Sequence, residues 1–346
     1  MIAAPWRSRG QLAVLGTGQA LPGHPVSTDA LVAMLEERFA FSAGREGRAI
    51  AKRMGIATRH ISRPFLERCE GALAGCSNAE LSAIAVKHAL DDAGVLIGEI
   101  GYLIGHTTTP VQPLPANITF VADHLGYAGP HVELRQACTG FANALMIAFG
   151  LIAGGLDAPI AIVGSETGSL FFDPKRAGED RGQCVNLIQM GDAAAAIIVA
   201  PGAAGCSMIS GAWFGATGLG RSPGLQMHTG RHEFEHDYAQ IAASGPALFA
   251  AGIAAAASQG ITADSVDTIV PHQVSGSIRT QIARHLGVDR ERVFGNAERV
   301  GNTGSAAIWL ALAELRAAGL ASGTRVLALG AEATKYMHGG FLYEHG

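Results

Sequence analysis

Three side chains, Cys138, His272 and Asn302, have the types and settings for thioester chemistry. Cys138 follows the extended-type stretch HVELRQA and opens the Gly/Ala-rich helical segment CTGFANALMIAFGLIAGGL. A thiol at a helix N-terminus meets the positive end of the macrodipole and unpaired backbone N–H groups. That setting predicts a pKa lowered from about 8.5 toward neutrality, with the same N–H groups serving as an oxyanion hole. The competing reading is a small buried apolar residue, the usual fate of a free cysteine; Cys69, Cys76, Cys184 and Cys206, which lack this setting, take that reading. His272 stands where the apolar run DTIVPH stops at a proline, held by strand backbone where ligands bind in open α/β folds. Neutral imidazole there can donate to a carbonyl or accept the thiol proton; the alternative is an ordinary surface histidine, one of thirteen. Asn302, in VGNTGSA, is either a helix N-cap or a neutral amide donor to a carbonyl.

The elements that must position these residues repeat. Cys138–Leu156 and NTGSAAIWLALAELRAAGL (Asn302–Leu320) share seven of nineteen residues without a gap at an offset of 164. Each closes at a glycine, Gly155 or Gly319, and leads into an apolar run, IAIVGSE to Glu166 and VLALGAE to Glu332. A second pair agrees at an offset of 166: the amphipathic segment Ala79–Gly94 and a strand over Glu99–His106 match the Ala-rich segment Pro246–Gly260 and a strand over Val266–His272. Cys138 thus corresponds to Asn302, and His106 to His272. Helices alternating with short apolar strands imply parallel-rich sheet covered on both faces. The expected fold is a duplicated five-layer α/β/α/β/α sandwich, with halves at 1–204 and 205–346. The polar, Gly-rich stretches Phe171–Gly182 and Gly215–His236 read as loops over a site.

Composition narrows the functional classes. Charged residues are only 16% of the chain and hydrophobic ones 48%, so a large core and a subunit interface are both expected. A net charge of −4 argues against a nucleic-acid partner. The N-terminus lacks an apolar signal core, and no run of about 18 apolar residues free of glycine and charge marks a membrane span. The five cysteines are odd in number and show no CxxC pair, so neither disulfides nor a metal is expected, and the reducing cytoplasm is the expected compartment. The order Cys, His, Asn also occurs in papain-like proteases, but that reading requires a tryptophan beside the cysteine, a secretory segment and disulfides.

The chain resembles β-ketoacyl-ACP synthase III, of the thiolase superfamily, over almost its whole length. The matching stretches are LAVLGTGQALPGHPVSTDALV, RMGIATRHI, ALDDAGV…IGHTTTP, ACTGFANAL, DRG…MGDAAAAIIVA, SGPALFAAGI, VPHQVSGSI and GNTGSAA, in the family's order. The resemblance implies a Cys138–His272–Asn302 triad. An acyl group passes from CoA or a carrier protein to the Cys138 sulfur. A malonyl thioester then loses carbon dioxide, and its enolate, stabilised by donors from His272 and Asn302, attacks the acyl carbon. It further implies that Arg53 and Arg181 line the entrance for CoA or phosphopantetheine, with Ser275 and Arg284 assigned to the same binding set. Arg279, Arg284, Arg290, Arg292 and Arg299 could together dock an acidic acyl carrier protein or form a solvated helix face. No cofactor beyond the acyl-CoA or acyl-ACP substrates is implied, and a homodimer is.

The chain departs from the family pattern at informative places. HQAN reads HQVS, putting Ser275 at the asparagine. Ala49 stands where a tryptophan stacks on the CoA adenine. Leu114, contributed by the partner subunit, and Met190 replace phenylalanines bounding a short acyl pocket, which suggests a longer or differently shaped acyl group. The glycine-rich motif of the oxyanion hole reads Gly330-Ala331-Glu332. These changes favour specialised, polyketide-like metabolism over the housekeeping start of fatty-acid synthesis. The alternative on the same scaffold is acyl transfer to an alcohol or amine without decarboxylation, which the presence of Asn302 disfavours.

Overall fold

The computed structural model describes residues 4–63, 73–203, 205–227 and 234–346. Ten strands form its main sheet: β1 (Trp6–Arg7), β2 (Leu12–Ala20), β3 (Tyr102–His106), β4 (His131–Leu134), β5 (Ile160–Glu166), β6 (Ala193–Pro201), β7 (Ser207–Ala216), β8 (Thr268–Pro271), β9 (Arg325–Glu332) and β10 (Met337–Glu344). Their order is β8-β9-β10-β7-β2-β6-β5-β3-β4, with β1 on β7. Read outward from the β2–β7 seam, the two sides run β2-β6-β5-β3-β4 and β7-β10-β9-β8. A single parallel bridge, Ile269 to Val293, stands where a fifth strand would complete the second side. The seam is short, joining Leu12 to Ile209, Ala13 to Met208 and Val14 to Ser207.

The helices used below are α1 (Gly44–Met54), α2 (Asn78–Ala93), α3 (Gly140–Ala153), α4 (Arg181–Gln189), α5 (Tyr238–Ala257), α6 (Ile278–Leu286) and α7 (Ala307–Ala317). α3 and α7 form the middle layer. α3 touches β3, β5 and β6 on one side and β7 and β10 on the other, while α7 reaches β2, β5, β6 and β8. α2 covers the outer face of β2, β5 and β6, and α5 covers β7, β9 and β10. The result is the expected five layers of a thiolase-like fold.

The middle layer explains the apolar composition. A helix between two sheets has no solvent face, and Ile308, Trp309, Leu310, Ala311 and Leu312 are all buried in succession. β6 is likewise a continuous apolar run, Ala193–Val199, because both of its faces are covered. Full burial of each large apolar side chain contributes roughly 1.5–3 kcal/mol. Glycine serves close approach on β2, where a Cβ on Gly16 or Gly18 would stand 2.4 Å from Ala89 O or 2.3 Å from Ala85 O of α2.

Several local expectations are corrected. The stretch 171–182 is not a plain loop: Phe172 is buried in a hydrophobic cluster, Pro174–Glu179 is helical, and α4 begins at Arg181. Gly215 and Ala216 finish β7, and Leu225–Gln226 pairs with Glu235–His236, while 228–233 lie outside the described residues, as does Cys69. α5 begins at Tyr238, ahead of Pro246, which sits inside the helix; its Ala-rich flanks hold the helix together against a proline penalty of about 3 kcal/mol. By length and composition Ala239–Ala257 could cross a membrane, and in this fold it lies against β7, β9 and β10.

Candidate active site

Cys138 stands just ahead of α3, whose first helical residue is Gly140 and whose N-cap is Thr139. The helix end is not free. The Thr139 N–H donates to Oε2 of Glu332 at 2.9 Å and the Thr139 hydroxyl to the same oxygen at 2.6 Å, while the Thr334 hydroxyl donates to Oε1. The expected low thiol pKa is therefore overturned. Burial, first, and the negative charges of Glu332 and Glu166 push the Cys138 thiol well above its ordinary value, against a small opposing hydrogen bond from its own backbone N–H.

His272 follows β8, and its N–H donates to Leu329 O of β9 at 2.7 Å. The ring is buried, and desolvation lowers its pKa to about 4, so it is neutral at physiological pH. Its Nδ1 has no hydrogen-bond partner among the described residues. Gly330, next to Leu329, abuts the Cys138 turn: a Cβ there would stand 2.6 Å from Phe141 Cε1 and 3.3 Å from Cys138 O. One strand thus fixes the histidine backbone and borders the cysteine.

Asn302 does not cap α7. A 3-10 turn, Gly304–Ala306, intervenes, and α7 starts at Ala307. Its backbone is pinned to α4 and the residues after it, the N–H donating to Gln189 O at 2.8 Å and the carbonyl accepting from the Gly191 N–H at 3.1 Å. Its Oδ1 accepts the Gly304 N–H at 3.0 Å, which leaves the amide nitrogen as the group free to donate. The Ser305 hydroxyl lies 3.3 Å from Gln136 O and donates to Glu166 Oε1 at 2.6 Å. The turn carrying Asn302 is thereby tied to the residues just before Cys138.

Two carboxylates in this region appear in the sequence only as strand ends. Glu166 closes β5 and Glu332 closes β9, and both are buried. Their equal place in the two repeats, 166 residues apart, was the available signal. His106, the repeat counterpart of His272, is a structural residue: Trp309 Nε1 donates to its Nε2 at 3.0 Å, and burial lowers its pKa to about 3.

Two family models cover this architecture: 3-oxoacyl-[acyl-carrier-protein] synthase III over residues 132–218 and its C-terminal part over 256–342. A β-ketoacyl-[acyl-carrier-protein] synthase III of Neisseria meningitidis serogroup C is 30% identical, covering 86% of this chain and 88% of its own. The chain belongs to the β-ketoacyl-[acyl-carrier-protein] synthase III family. It is a ketosynthase III, a condensing acyltransferase. The synthase III of Rhodospirillum rubrum is 29% identical over 98% of both chains. Among solved structures, the tetronic acid condensing enzyme AbyA1 superimposes with a TM-score of 0.82 at 26% identity, covering 96% of this chain and 99% of its own.

Other residues of this synthase III fall in different places. Arg53, in the last turn of α1, and Arg181, opening α4, line one cleft of about 800 Å³ with Ile50, Met54, Val185 and His236. Arg181 also pairs with Glu46 at 2.9 Å. Ala49 lines a neighbouring shallow cleft. Ser275 does not join either lining: it is buried, its hydroxyl 2.9 Å from that of Ser277. Arg284 is exposed on α6 and outside the cleft lining, because α6 turns that side to solvent. Gly276 instead meets α1's end, where a Cβ would stand 2.2 Å from Gly55 O.

Much of the arginine group after the histidine is already engaged. Arg279 donates to Val293 O and pairs with Glu291, Arg292 donates to Val266 O at 2.6 Å, and Arg299 pairs with Glu314 at 2.7 Å. Leu114 is 84% exposed, preceding a cis peptide to Pro115. Met190 bridges Asn302 through backbone, and its Cε would lie 2.3 Å from a Cβ on Gly168. Ala331 sits opposite His338 in the β9–β10 register.

Proposed function

We propose that this synthase III loads an acyl group onto Cys138 from a CoA or carrier-protein thioester and condenses it with a malonyl-type thioester. In the first half-reaction the Cys138 sulfur attacks the thioester carbon, and the departing thiol carries away the proton. In the second, the bond to the malonyl carboxylate breaks, carbon dioxide leaves, and the bond's electrons form an enolate. His272 and the Asn302 amide nitrogen donate to the enolate oxygen. The enolate carbon attacks the acyl carbon, the bond to the Cys138 sulfur breaks, the sulfur takes up a proton from solvent to restore the thiol, and the β-ketoacyl thioester leaves.

The observation that carries this reading is how the three turns are tied. β9 holds His272 through Leu329 and borders Cys138 through Gly330, while Ser305 links the Asn302 turn to Gln136. The cleft lined by Arg53 and Arg181 suits the phosphates of CoA or phosphopantetheine. A second copy of the chain would cover Leu114, whose exposure is otherwise unaccounted for. The lack of rigid aromatics at Leu114 and Met190 favours an acyl group larger than acetyl.

Site-resolved mass spectrometry after incubation with a panel of acyl-CoAs tests the loading step. An adduct on Cys138 that Cys138→Ala abolishes is the expected outcome; labelling elsewhere, or none, overturns the reading. Carbon dioxide release from malonyl-CoA by the loaded enzyme separates condensation from acyl transfer to an alcohol or amine.

A further inference from the structure

The two buried carboxylates are arranged reciprocally across the repeat. Glu332, ending a strand of the second half, accepts from Thr139, the residue after Cys138 in the first half. Glu166, ending the equivalent strand of the first half, accepts from Ser305 in the Asn302 turn of the second. Each is a strand end carried across to the turn that bears the other half's reactive side chain. The two are not equivalent electrostatically. Glu166 shares its charge among Ser305, Thr108 and Thr109, the last at 2.6 Å, and its own pKa is raised by burial. Glu332 places its carboxylate on the peptide N–H adjoining the nucleophile.

We propose that Glu332 is the positioning residue of the nucleophile, fixing the Cys138 turn through Thr139 and setting a carboxylate beside it that restrains its reactivity until a thioester is in place. This rests on the acyl-transfer reading above. The Thr139 hydroxyl links the device to its surroundings, accepting from Gln136 Nε2 at 3.0 Å while donating to Glu332. The helix-end N–H that would stabilise a thiolate is spent on a carboxylate, and the carboxylate's charge repels a second negative charge nearby. The charged groups acting on the sulfur are Glu332 on β9 and Glu166 on β5; of the neutral imidazoles, that of His106 on β3 lies where a Cβ on Gly140 would stand 2.5 Å from its Nδ1, and that of His272 follows β8. His338 on β10, its pKa lowered by burial, pairs with Ala331 and so points to the sheet face away from Glu332, whose own register partner is Met337.

A thiol held this high and an imidazole held this low exchange no proton at rest. Transfer becomes favourable as the sulfur bonds to the thioester carbon, because a sulfur bearing that new bond is far more acidic. His272 takes the proton and passes it to the departing CoA sulfur. The balance is Cys138–SH plus acyl–S–CoA giving Cys138–S–acyl plus HS–CoA. The enzyme would therefore resist indiscriminate alkylation while remaining competent toward its own donor.

The test is the pH profile of Cys138 alkylation by iodoacetamide, followed by site-resolved mass spectrometry in wild type and Glu332→Gln. The amide keeps an acceptor for Thr139 and removes the charge. Wild type should alkylate more slowly at pH 7.5 than a free thiol, and Glu332→Gln about tenfold faster than wild type, as expected for losing one nearby like charge. Equal rates in the two proteins overturn the proposal. If the variant does not fold, the wild-type profile decides: a midpoint at or below that of an ordinary thiol, about 8.5, overturns it. Alkylation needs no acyl donor, so a failure here is distinct from a failure of Cys138 to acylate.

Discussion

The Asn302 side-chain oxygen is held by the Gly304 N–H at 3.0 Å, so the orientation of the amide is fixed by backbone two residues along. The nitrogen is left to donate, as the proposed enolate requires, and only an amide satisfies both demands. Asn302→Asp keeps the acceptor for Gly304 and replaces the donor with a charged oxygen. It should lower malonyl-CoA decarboxylation by about 100-fold or more while leaving acylation of Cys138 measurable. Parallel assays of carbon dioxide release and of the acyl adduct check the split; an equal loss of both would refute the assigned role.

His272 is buried neutral, with a pKa of about 4 against about 6.5 in an unfolded chain. Between those values the unfolded chain binds more protons, so stability rises with pH. The contribution is whole above about pH 6.5 and drains as pH falls toward 4. A His272→Asn variant lacks this titration. Wild type should lose about 2 kcal/mol relative to the variant between pH 7 and pH 5, read from urea unfolding at each pH.

Arg53 and Arg181 line the same cleft from different helices. Reversing the charge in Arg53→Glu should raise KM for an acyl-CoA about tenfold, a cost of about 1.4 kcal/mol. The same variant should use an acyl thioester of a short phosphate-free thiol almost as well as wild type. Steady-state kinetics with the two donors distinguishes phosphate recognition from general damage.

Trp309 is buried in the middle layer, stacked on Phe341 and donating to His106. Trp309→Phe leaves the His106 Nε2 without its donor and opens a void between the sheets. The expected loss is about 2–4 kcal/mol, measured by denaturant unfolding, with an adduct still formed on Cys138 in the folded protein.

Much of this was legible in the sequence because duplication leaves two readings of each element. The strands ending at Glu166 and Glu332 and the helix closing at Gly94 fall where the repeat placed them. What failed was local electrostatics. A cysteine before a helix suggests a stabilised thiolate, but the helix end here is taken by a carboxylate 193 residues distant in the chain from Thr139. Asn302 next to an apolar segment suggests a helix cap, whereas its oxygen closes a shorter turn. Arginines after the histidine suggest a basic surface, yet Arg279 and Arg292 spend donors on backbone carbonyls. For the cysteine and the arginines the deciding partner is remote in sequence and spacing carries no trace of it, whereas Asn302 is decided by a turn only two residues long, whose geometry the residue types alone do not show.

The loop after His272 touches the end of α1 so closely, at Gly276 and Gly55, that no side chain fits between them. The rim bearing Arg53 and the segment bearing the imidazole are consequently two sides of a single partition. Widening the cleft at the end of α1 would therefore shift the segment that carries His272 as well, because the contact between them is bare backbone on both sides.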